Sequence, residues 1–275
     1  MKFTKQLLIA VGMLAGVPGI CSAGLLTDGD VVQLRRYSSG THETFGAASG
    51  GGEFALFKKL GDGSYEYLAK TFCIEYDEHI TLNTDFLVGG VSDRAVLGGS
   101  NTNFGDPIGY AVDFLYSAFA TGTLDTFDLG SGIHYSATSD IWANALQRAI
   151  WMLEEEVTGF GSYSYSDEAE LLHDFALSSV STWTENTGNV KALNLFAMGT
   201  NLTGFDALNP TTYNSDGRWG KHKQDQLWYI PDAAGPPDGG GGSMSTVPEP
   251  HSVLIWSAFG IAGVFARRRS KQRQV

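Results

Sequence analysis

The hydrophobic pattern changes its period along the chain, and this change constrains the fold more than any other feature. Residues 30–39, 52–60 and 64–76 have the composition of strands, and Gly61-Asp62-Gly63 predicts a hairpin turn between the last two. Helical spacing follows at 107–119, 139–156, 166–180 and 190–198, and 224–232 returns to strand alternation. This order predicts an α+β fold, a β-sandwich or barrel with an inserted helical subdomain. We assign residues 24–106 and 205–232 to the β part and 107–204 to the helical part.

The N-terminus has the three parts of a secretory signal peptide. Lys2 and Lys5 precede an apolar run, and the small-residue site Cys21-Ser22-Ala23 follows it. We expect residues 1–23 to be removed, so that the mature chain works in an oxidising compartment where cysteines usually pair. The chain has two cysteines, and loss of Cys21 leaves Cys73 without a partner.

The C-terminal segment 247–275 carries a short apolar run between a proline motif and a basic cluster. Pro248-Glu249-Pro250 precedes residues 252–266, a helix of about 22 Å that is shorter than the roughly 20 residues of a stable span. The basic cluster, which the positive-inside rule places in the cytoplasm, begins with Arg267, Arg268 and Arg269. We expect only transient insertion in the inner membrane.

This arrangement resembles the PEP-CTERM sorting signal of Gram-negative bacteria. The resemblance implies an exosortase as partner, cleavage near the Pro-Glu-Pro motif, and release to the cell surface or an exopolysaccharide matrix. An ordinary C-terminal membrane anchor is the alternative. Residues 233–246, just before the segment, have the composition of a flexible linker.

The charge balance excludes two classes of partner. The formal net charge is −12, and the two terminal segments carry seven basic residues but one acidic residue, so the body between them is more acidic still. Such a body repels nucleic acid and anionic lipid. Hydrophobic residues at 43% and aromatic residues at 12% predict a packed core.

The predicted helix at 139–156 places a glutamine among apolar residues. Gln147 lies outside the main apolar stripe, yet Ile150 and Trp151, one turn further on, are apolar as well. We therefore expect the helix to be covered on two sides. The amide of a glutamine in such a position either forms hydrogen bonds with nearby groups or takes part in the function of the protein. The main stripe comprises Trp142, Leu146, Ala149 and Leu153.

Two short stretches together resemble the motifs of bacterial thioester domains: Phe72-Cys73 and the helical Leu146–Trp151, "LQRAIW". The resemblance implies that Cys73 supplies the thiol and Gln147 the acyl group of an internal thioester, at the junction of a β subdomain and a helical subdomain. It implies no cofactor and no metal. Water hydrolyses a thioester, so we expect apolar shelter. The expected walls of that pocket are Phe72, Tyr76, Trp142 and Trp151.

Such a domain is not a turnover enzyme, because an amine or hydroxyl that takes the acyl group remains attached through Gln147. The best-known members are adhesins of Gram-positive surface proteins, whereas this sequence has neither a wall-sorting signal nor a repeat stalk. The target, a surface protein or a polysaccharide, is left open.

Three other readings of the same residues are available. A non-covalent matrix-binding or glycan-binding β-sandwich would use Cys73 only as a small buried side chain. A cysteine hydrolase would need one of His79, His134 or His173 beside Cys73, and none of them lies in a recognisable signature. His79 could assist proton transfer, but a surface position is the simpler interpretation. The aspartates in 27–30, 125–132 and 214–220 could bind calcium, although their spacing is more typical of turns.

Overall fold

The computed structural model describes residues 25–46, 51–96, 105–180, 188–206 and 221–230. All of them lie in the first of the two units into which the chain divides, Met1–Ala233. The predicted signal peptide, linker and sorting segment lie outside the described residues, as does the candidate calcium turn at 214–220. Within the described part, no helix is both long and apolar enough to cross a membrane.

The described chain forms an antiparallel sheet and three α-helices, which confirms the predicted α+β class. The large sheet has six strands in the order β3-β2-β1-β4-β7-β8, and β5 pairs with β6 in a second, two-stranded sheet. The strands are β1 Val31–Arg35, β2 Phe54–Lys59, β3 Tyr65–Thr71, β4 Asp85–Ser92, β5 Arg94–Ala95, β6 Asp106–Pro107, β7 Val190–Ala197 and β8 His222–Tyr229. The helices are α1 Tyr110–Ala120, α2 Asp140–Leu153 and α3 Ser166–Ser179.

The two edge strands of the large sheet meet at one corner. Just after β3, the carbonyl oxygen of Phe72 accepts a hydrogen bond from the Leu227 N–H of β8 at 3.0 Å, and the Ile74 N–H donates to the Asp225 carbonyl oxygen at 3.1 Å. Between them, Cys73 faces Gln226 in an isolated antiparallel bridge. The described strands do not close into a barrel, so the finer prediction of a sandwich or barrel is not confirmed.

One predicted helix is wrong. Residues 190–198 are not helical: Val190–Ala197 is strand β7, which lies between β4 and β8 inside the sheet. Five consecutive residues of β7 are buried, and all of them except Asn194 are apolar; a mostly apolar run of this kind fits a helical and a strand period equally well. Pairing with the neighbouring strands β4 and β8 makes the segment a strand. The helical elements of the described chain therefore end with α3, earlier than the predicted boundary at 204.

Strand β4 was not predicted, because its sequence contains Gly89-Gly90, a pair that is typical of turns. The structure gives Gly89 a packing role. A Cβ at this position would overlap the ring of Phe196 on the neighbouring strand β7. The glycine here makes room for an aromatic ring within the sheet.

Helix α2 is covered on more than one side, as expected from its two apolar strips. Ten of its residues are buried, and six of these divide between two hydrophobic clusters. Leu146 and Ile150 belong to a cluster with α1 and α3, whereas Trp151 belongs to a cluster with Cys73 and the sheet. The helix begins at the predicted Ser-Asp signal, where the Ser139 hydroxyl accepts a hydrogen bond from the Trp142 N–H at 3.5 Å.

Candidate functional site

The segment that carries Cys73 has an unusual backbone environment. Its neighbours Phe72 and Ile74 direct their hydrogen bonds to β8, so the N–H and C=O of Cys73 itself point to the opposite side. On that side the pairing of β3 with β2 ends at Thr71 and Phe54. Cys73 is only 2% exposed, and a buried peptide group without a partner is costly. These two backbone groups therefore need a partner other than a strand.

Gln147 of α2 is that partner. The Cys73 N–H donates to Gln147 Oε1 at 3.0 Å, and Gln147 Nε2 donates to the Cys73 carbonyl oxygen at 2.8 Å. The Gln147 side chain is completely buried. Its amide thus occupies the position of a missing strand and lies against the residue that carries the sulfur. The structure brings together the two residues on which the sequence resemblance rests.

The Cys73 sulfur is buried and protonated at neutral pH. Burial raises the pKa of its thiol to about 12, although a hydrogen bond from Gln226 and the positive charge of Arg36 both lower it. The Gln226 Nε2 lies 3.6 Å from the sulfur. Cys73 is the free cysteine of the described chain. A thiol in this state is a weak nucleophile until its proton leaves.

A glycine lies directly against the Gln147 side chain. A methyl group on Gly51 would overlap Gln147 Cγ and would lie 2.9 Å from Trp151 Cη2. Arg36 donates to the Gly51 carbonyl oxygen, and also to that of Gly46 at 2.6 Å. The Arg36 guanidinium therefore anchors the chain on both sides of the undescribed residues 47–50 and brings a positive charge near the thiol.

The four predicted pocket walls divide into two groups. Trp151 packs in the same cluster as Cys73, and Tyr76 covers it from outside in an edge-to-face contact at 5.0 Å between ring centres. Phe72 and Trp142 instead pack in the other cluster, Phe72 against Phe119. The reason for Phe72 is the alternation of side chains along an extended segment, which points it away from the Cys73 side. The structure therefore places two of the four residues on the sulfur side.

Neither His79 nor His222 is placed to act as a base for the Cys73 thiol. His79 is exposed, with its ring nitrogen Nδ1 3.0 Å from the Glu78 carbonyl oxygen. His222, which the sequence analysis did not single out, is fully buried on β8, but both ring nitrogens are engaged by carboxylates. Nδ1 is 3.2 Å from Glu78 Oε1, and Nε2 is 2.9 Å from Asp225 Oδ1. His222 holds the segment after Cys73 against β8.

One carboxylate in each of the two described candidate calcium turns binds its own loop. Asp30 accepts a hydrogen bond from the Thr27 N–H at 2.8 Å and pairs with Lys58, while Asp128 accepts from the N–H groups of Gly130 and Gly132. These are the contacts of ordinary turns. Among the residues that the structure describes, no three His, Cys, Asp or Glu side chains are grouped so that they could hold a metal ion.

Comparison of the chain with protein-family models, with curated proteins and with solved structures finds no match. The chemistry of the site must therefore be argued from its own geometry.

Proposed function

We propose that the protein is exported and attaches covalently to an amine or hydroxyl nucleophile through an internal thioester between Cys73 and Gln147. The observation that carries this proposal is the pair of hydrogen bonds, at 3.0 and 2.8 Å, by which the main chain of Cys73 holds the Gln147 amide. The site lies where α2 packs on the corner at which β3 and β8 meet.

The two hydrogen bonds suit acyl transfer as well as local pairing. The Cys73 N–H points at Gln147 Oε1, the atom on which negative charge would develop when the sulfur attacks Cδ. The Cys73 carbonyl oxygen accepts from Nε2, the nitrogen that would leave. Fixed proximity of this kind can supply an effective molarity on the order of 10⁵ M or more, which compensates for a poor electrophile.

Atoms balance in both steps. On formation, a bond between the Cys73 sulfur and Gln147 Cδ replaces the Cδ–Nε2 bond, and the thiol proton leaves with ammonia. On capture, the nitrogen or oxygen of the target bonds to Cδ, the sulfur–carbon bond breaks, and a proton returns to the sulfur. The target stays attached, so each molecule reacts once.

The proposed partners follow from the ends of the chain and from its charge. An exosortase would process the segment that contains Pro248, Glu249 and Pro250, and the covalent target would be a surface protein or polysaccharide outside the inner membrane of a Gram-negative bacterium. Exported protein should begin near Gly24 and lack Trp256, which N-terminal sequencing and intact mass would test. Protein outside the cell that retains Trp256 would contradict the sorting proposal.

Intact mass also tests the thioester. Exported protein purified without amines should be lighter than its sequence by one ammonia, and Cys73→Ala or Gln147→Ala should each restore the full mass. Wild-type protein should resist thiol alkylation until methylamine is added. Methylamine should then appear on Gln147 in the same amount as free thiol appears on Cys73. A wild-type protein of full mass with a readily alkylated Cys73 would falsify the proposal.

A second candidate function is non-covalent binding of a glycan or another matrix component. An open cleft of about 500 Å³ near β1, β4 and β8 favours it, because its lining offers polar groups and an aromatic ring, including Tyr65, Asn83 and Asp85. In this alternative, Gln147 only satisfies the main chain of Cys73. Binding of matrix polysaccharide by Cys73→Ala protein at wild-type strength, together with full mass of the wild type, would support it.

A further inference from the structure

A second buried glutamine lies beside the Cys73 sulfur. Gln226 on β8 is directly opposite Cys73, and the backbone hydrogen bonds on either side are those of a non-hydrogen-bonded antiparallel pair. In such a pair the two side chains lie on the same face of the sheet and unusually close together. The Gln226 side chain is completely buried. The structure therefore places two glutamine amides next to Cys73, one from Gln226 and one from Gln147.

The two amides contact different parts of Cys73. Gln147 binds the N–H and the carbonyl oxygen of the main chain, which lie in the plane of the sheet. The side chains of an extended segment instead stand roughly perpendicular to that plane. Gln226 Nε2 lies 3.6 Å from the sulfur itself. Of the two glutamines, Gln226 is therefore the one whose amide forms a hydrogen bond with the sulfur.

The carbonyl carbon of Gln226 is within reach of the sulfur. Cδ is bonded to Nε2, and a C–N bond of about 1.33 Å puts it no more than about 4.9 Å from the sulfur. Nε2 also donates to the carbonyl oxygens of Gln224 at 3.3 Å and Asp225 at 3.1 Å, which fixes the orientation of the amide. Rotation of the Cys73 and Gln226 side chains can close the rest of the gap, because both lie on one face of the sheet.

The oxygen of the Gln226 amide has no partner. Among the described residues, nothing forms a hydrogen bond with Gln226 Oε1, although the atom is buried. An unpaired buried acceptor is costly, and Gln147 by contrast uses both ends of its amide. A thioester oxygen carries less negative charge than an amide oxygen, because sulfur donates electrons to the carbonyl group less well than nitrogen does. Conversion of the Gln226 amide to a thioester therefore reduces this cost.

The surroundings of Gln226 suit a bond that water must not reach. Cys73, Trp151 and Trp228 belong to one buried cluster, and none of the three is more than 6% exposed. Trp228 follows Gln226 by two positions on β8, so the two side chains share the face on which the sulfur lies. Hydrolysis of a thioester requires water at the carbonyl carbon. A bond between Cys73 and Gln226 would form under this apolar cover.

We propose that Gln226, and not Gln147, supplies the acyl group of the thioester. The Cys73 sulfur bonds to Gln226 Cδ, the Cδ–Nε2 bond breaks, and the thiol proton leaves with ammonia. On capture, the nucleophile bonds to Cδ, the sulfur–carbon bond breaks, and the proton of the nucleophile passes to the sulfur. Gln147 keeps the structural role of binding the main chain of Cys73. This inference rests on the proposed covalent attachment through Cys73 and changes only the glutamine that carries the target.

Peptide mapping of wild-type protein locates the acyl group. Exported protein purified without amines is opened with methylamine, alkylated at its thiols and digested with trypsin, which cuts after lysine and arginine. Cys73 is then in peptide 71–94, Gln147 in peptide 95–148, and Gln226 in the peptide that begins at residue 224. Fragmentation separates Gln226 from Gln224, which lies in the same peptide and serves as an internal control.

The methylamide should appear on Gln226, in the same amount as the alkylated thiol appears on Cys73. The amides of Gln147 and Gln224 should be unchanged. A methylamide on Gln147, alone or together with one on Gln226, overturns the inference. Absence of the methylamide from Gln226 in protein that has lost ammonia overturns it as well.

Variants give an independent measurement, the rate of ammonia loss after refolding. Gln226→Met removes the acyl group at nearly constant size and should abolish the loss. Gln147→Met should only slow it, by up to about tenfold, because two hydrogen bonds between neutral groups are lost. Gln224→Met is the matched control and should leave the rate within about twofold of wild type, since the Gln224 amide donates to the Glu75 carbonyl oxygen and not to sulfur. Ammonia loss that persists in Gln226→Met overturns the inference.

Two failures are distinguishable, and the wild-type peptide map decides between them even if Gln226→Met does not fold. A wild-type protein that loses no ammonia contradicts the proposed function, and the role of Gln226 falls with it. A wild-type protein that loses ammonia but carries the methylamide on Gln147 overturns only this inference. A methylamide confined to Gln226 supports it and moves the acyl group of the proposed thioester from Gln147 to Gln226.

Discussion

The side-chain amide of Gln147 forms both of its hydrogen bonds with the main chain of Cys73, 74 positions earlier in the chain. A helix residue thus completes the edge of a sheet. This relationship holds the Gln147 amide against the main chain of Cys73. It also means that Gln147 has a structural role before any chemistry takes place, so stability and thioester content must be measured separately in every variant.

Gly51→Ala should damage the site more than its backbone conformation alone predicts. Gly51 has a φ of +80°, and a Cβ there would overlap Gln147 Cγ. Gly63→Ala is the matched control, because Gly63 has a φ of +84° and nothing lies within 4 Å of its Cβ position. Both variants lose about 1 kcal/mol through φ strain. Gly51→Ala should lose a further 1–3 kcal/mol, roughly, through overpacking.

Urea unfolding measures the two stabilities, and intact mass measures the fraction of protein that has lost ammonia. We expect that fraction to fall in Gly51→Ala and to stay at the wild-type value in Gly63→Ala. Equal stability loss in the two variants would show that the contact with Gln147 is unimportant.

How much of the site was predictable from sequence depends on how local each signal is. Cys73 and Gln147 each lie in a short pattern that a reader can recognise, and the Ser139-Asp140 start of α2 is local as well. Gln226 could not be found in this way, because its importance comes from the pairing of β8 with the segment after β3, 153 positions away. Register between distant strands is a tertiary property, and no window of sequence encodes it.

The errors in the fold have the same origin. Strand β7 has an apolar run that suits either period, and its place between β4 and β8 decides that it is a strand. Phe72 and Trp142 were expected beside the sulfur because both are aromatic and near a motif residue. The position of Phe72 follows from side-chain alternation along the extended segment, which puts it on the face opposite Cys73. The position of Trp142 depends on the packing of α2, which directs it into the same other cluster.

Lys70→Met should destabilise the protein strongly. Lys70 Nζ pairs at 2.6 Å with Glu53, whose side chain is fully buried, and burial already raises the pKa of that carboxyl group. Removal of the lysine leaves a buried acid without its charge partner and should cost about 3–5 kcal/mol at pH 7. The cost should be smaller at pH 5, where protonation of Glu53 removes the unpaired charge.

Lys59→Met provides the control. Lys59 forms a pair of similar length, 2.7 Å, with Asp85, but both side chains are partly exposed. An ion pair of this kind contributes about 1 kcal/mol or less. Chemical denaturation of both variants at the two pH values makes the comparison. A similar loss of unfolding free energy in the two variants would show that the burial of Glu53 does not determine how much its ion pair with Lys70 contributes to stability.

The His222 network should make stability depend on pH. Burial alone would lower the pKa of His222, but the charges and hydrogen bonds of Asp225 and Glu78 raise it to about 9. Glu75 faces the same network, and burial raises the pKa of its carboxyl group, whereas the contact with His222 helps to lower that of Glu78. The His222 pKa is therefore higher in the folded protein than its ordinary value of about 6.5.

A raised pKa means that folding favours the protonated form. The stabilisation is fully present below about pH 6.5 and is lost as pH rises through about 9, with an upper limit of about 3 kcal/mol. His222→Gln should remove this dependence. The difference in free energy of unfolding between wild type and His222→Gln should therefore shrink from pH 6.5 to pH 9.5. A difference that stays constant across this range would contradict a protonated His222 in the folded protein.

Tyr76→Ala should shorten the lifetime of the proposed thioester in water. Tyr76 is 47% exposed and packs edge to face on Trp151, which lies in the same cluster as Cys73. Removal of the phenol ring opens the outer side of Trp151 to solvent, and hydrolysis of a thioester requires water to reach the carbonyl carbon. We expect the bond to form but to hydrolyse several-fold faster, so that Cys73 becomes alkylatable while Gln147 becomes a glutamate.

Tyr163→Ala is the control, because Tyr163 is also half exposed, at 50%, but stacks on Tyr165. Mass spectrometry distinguishes the species, since hydrolysis adds one water to the thioester form whereas methylamine adds one amine. The mass at Gln147 is followed over time in amine-free buffer at pH 7.5 or so, with both variants and wild type treated alike. Equal hydrolysis rates in all three proteins would show that Tyr76 does not shelter the bond. The shelter would then be assigned to Gly51, which lies beside the Gln147 side chain, and to Trp151, which lies beside Gly51.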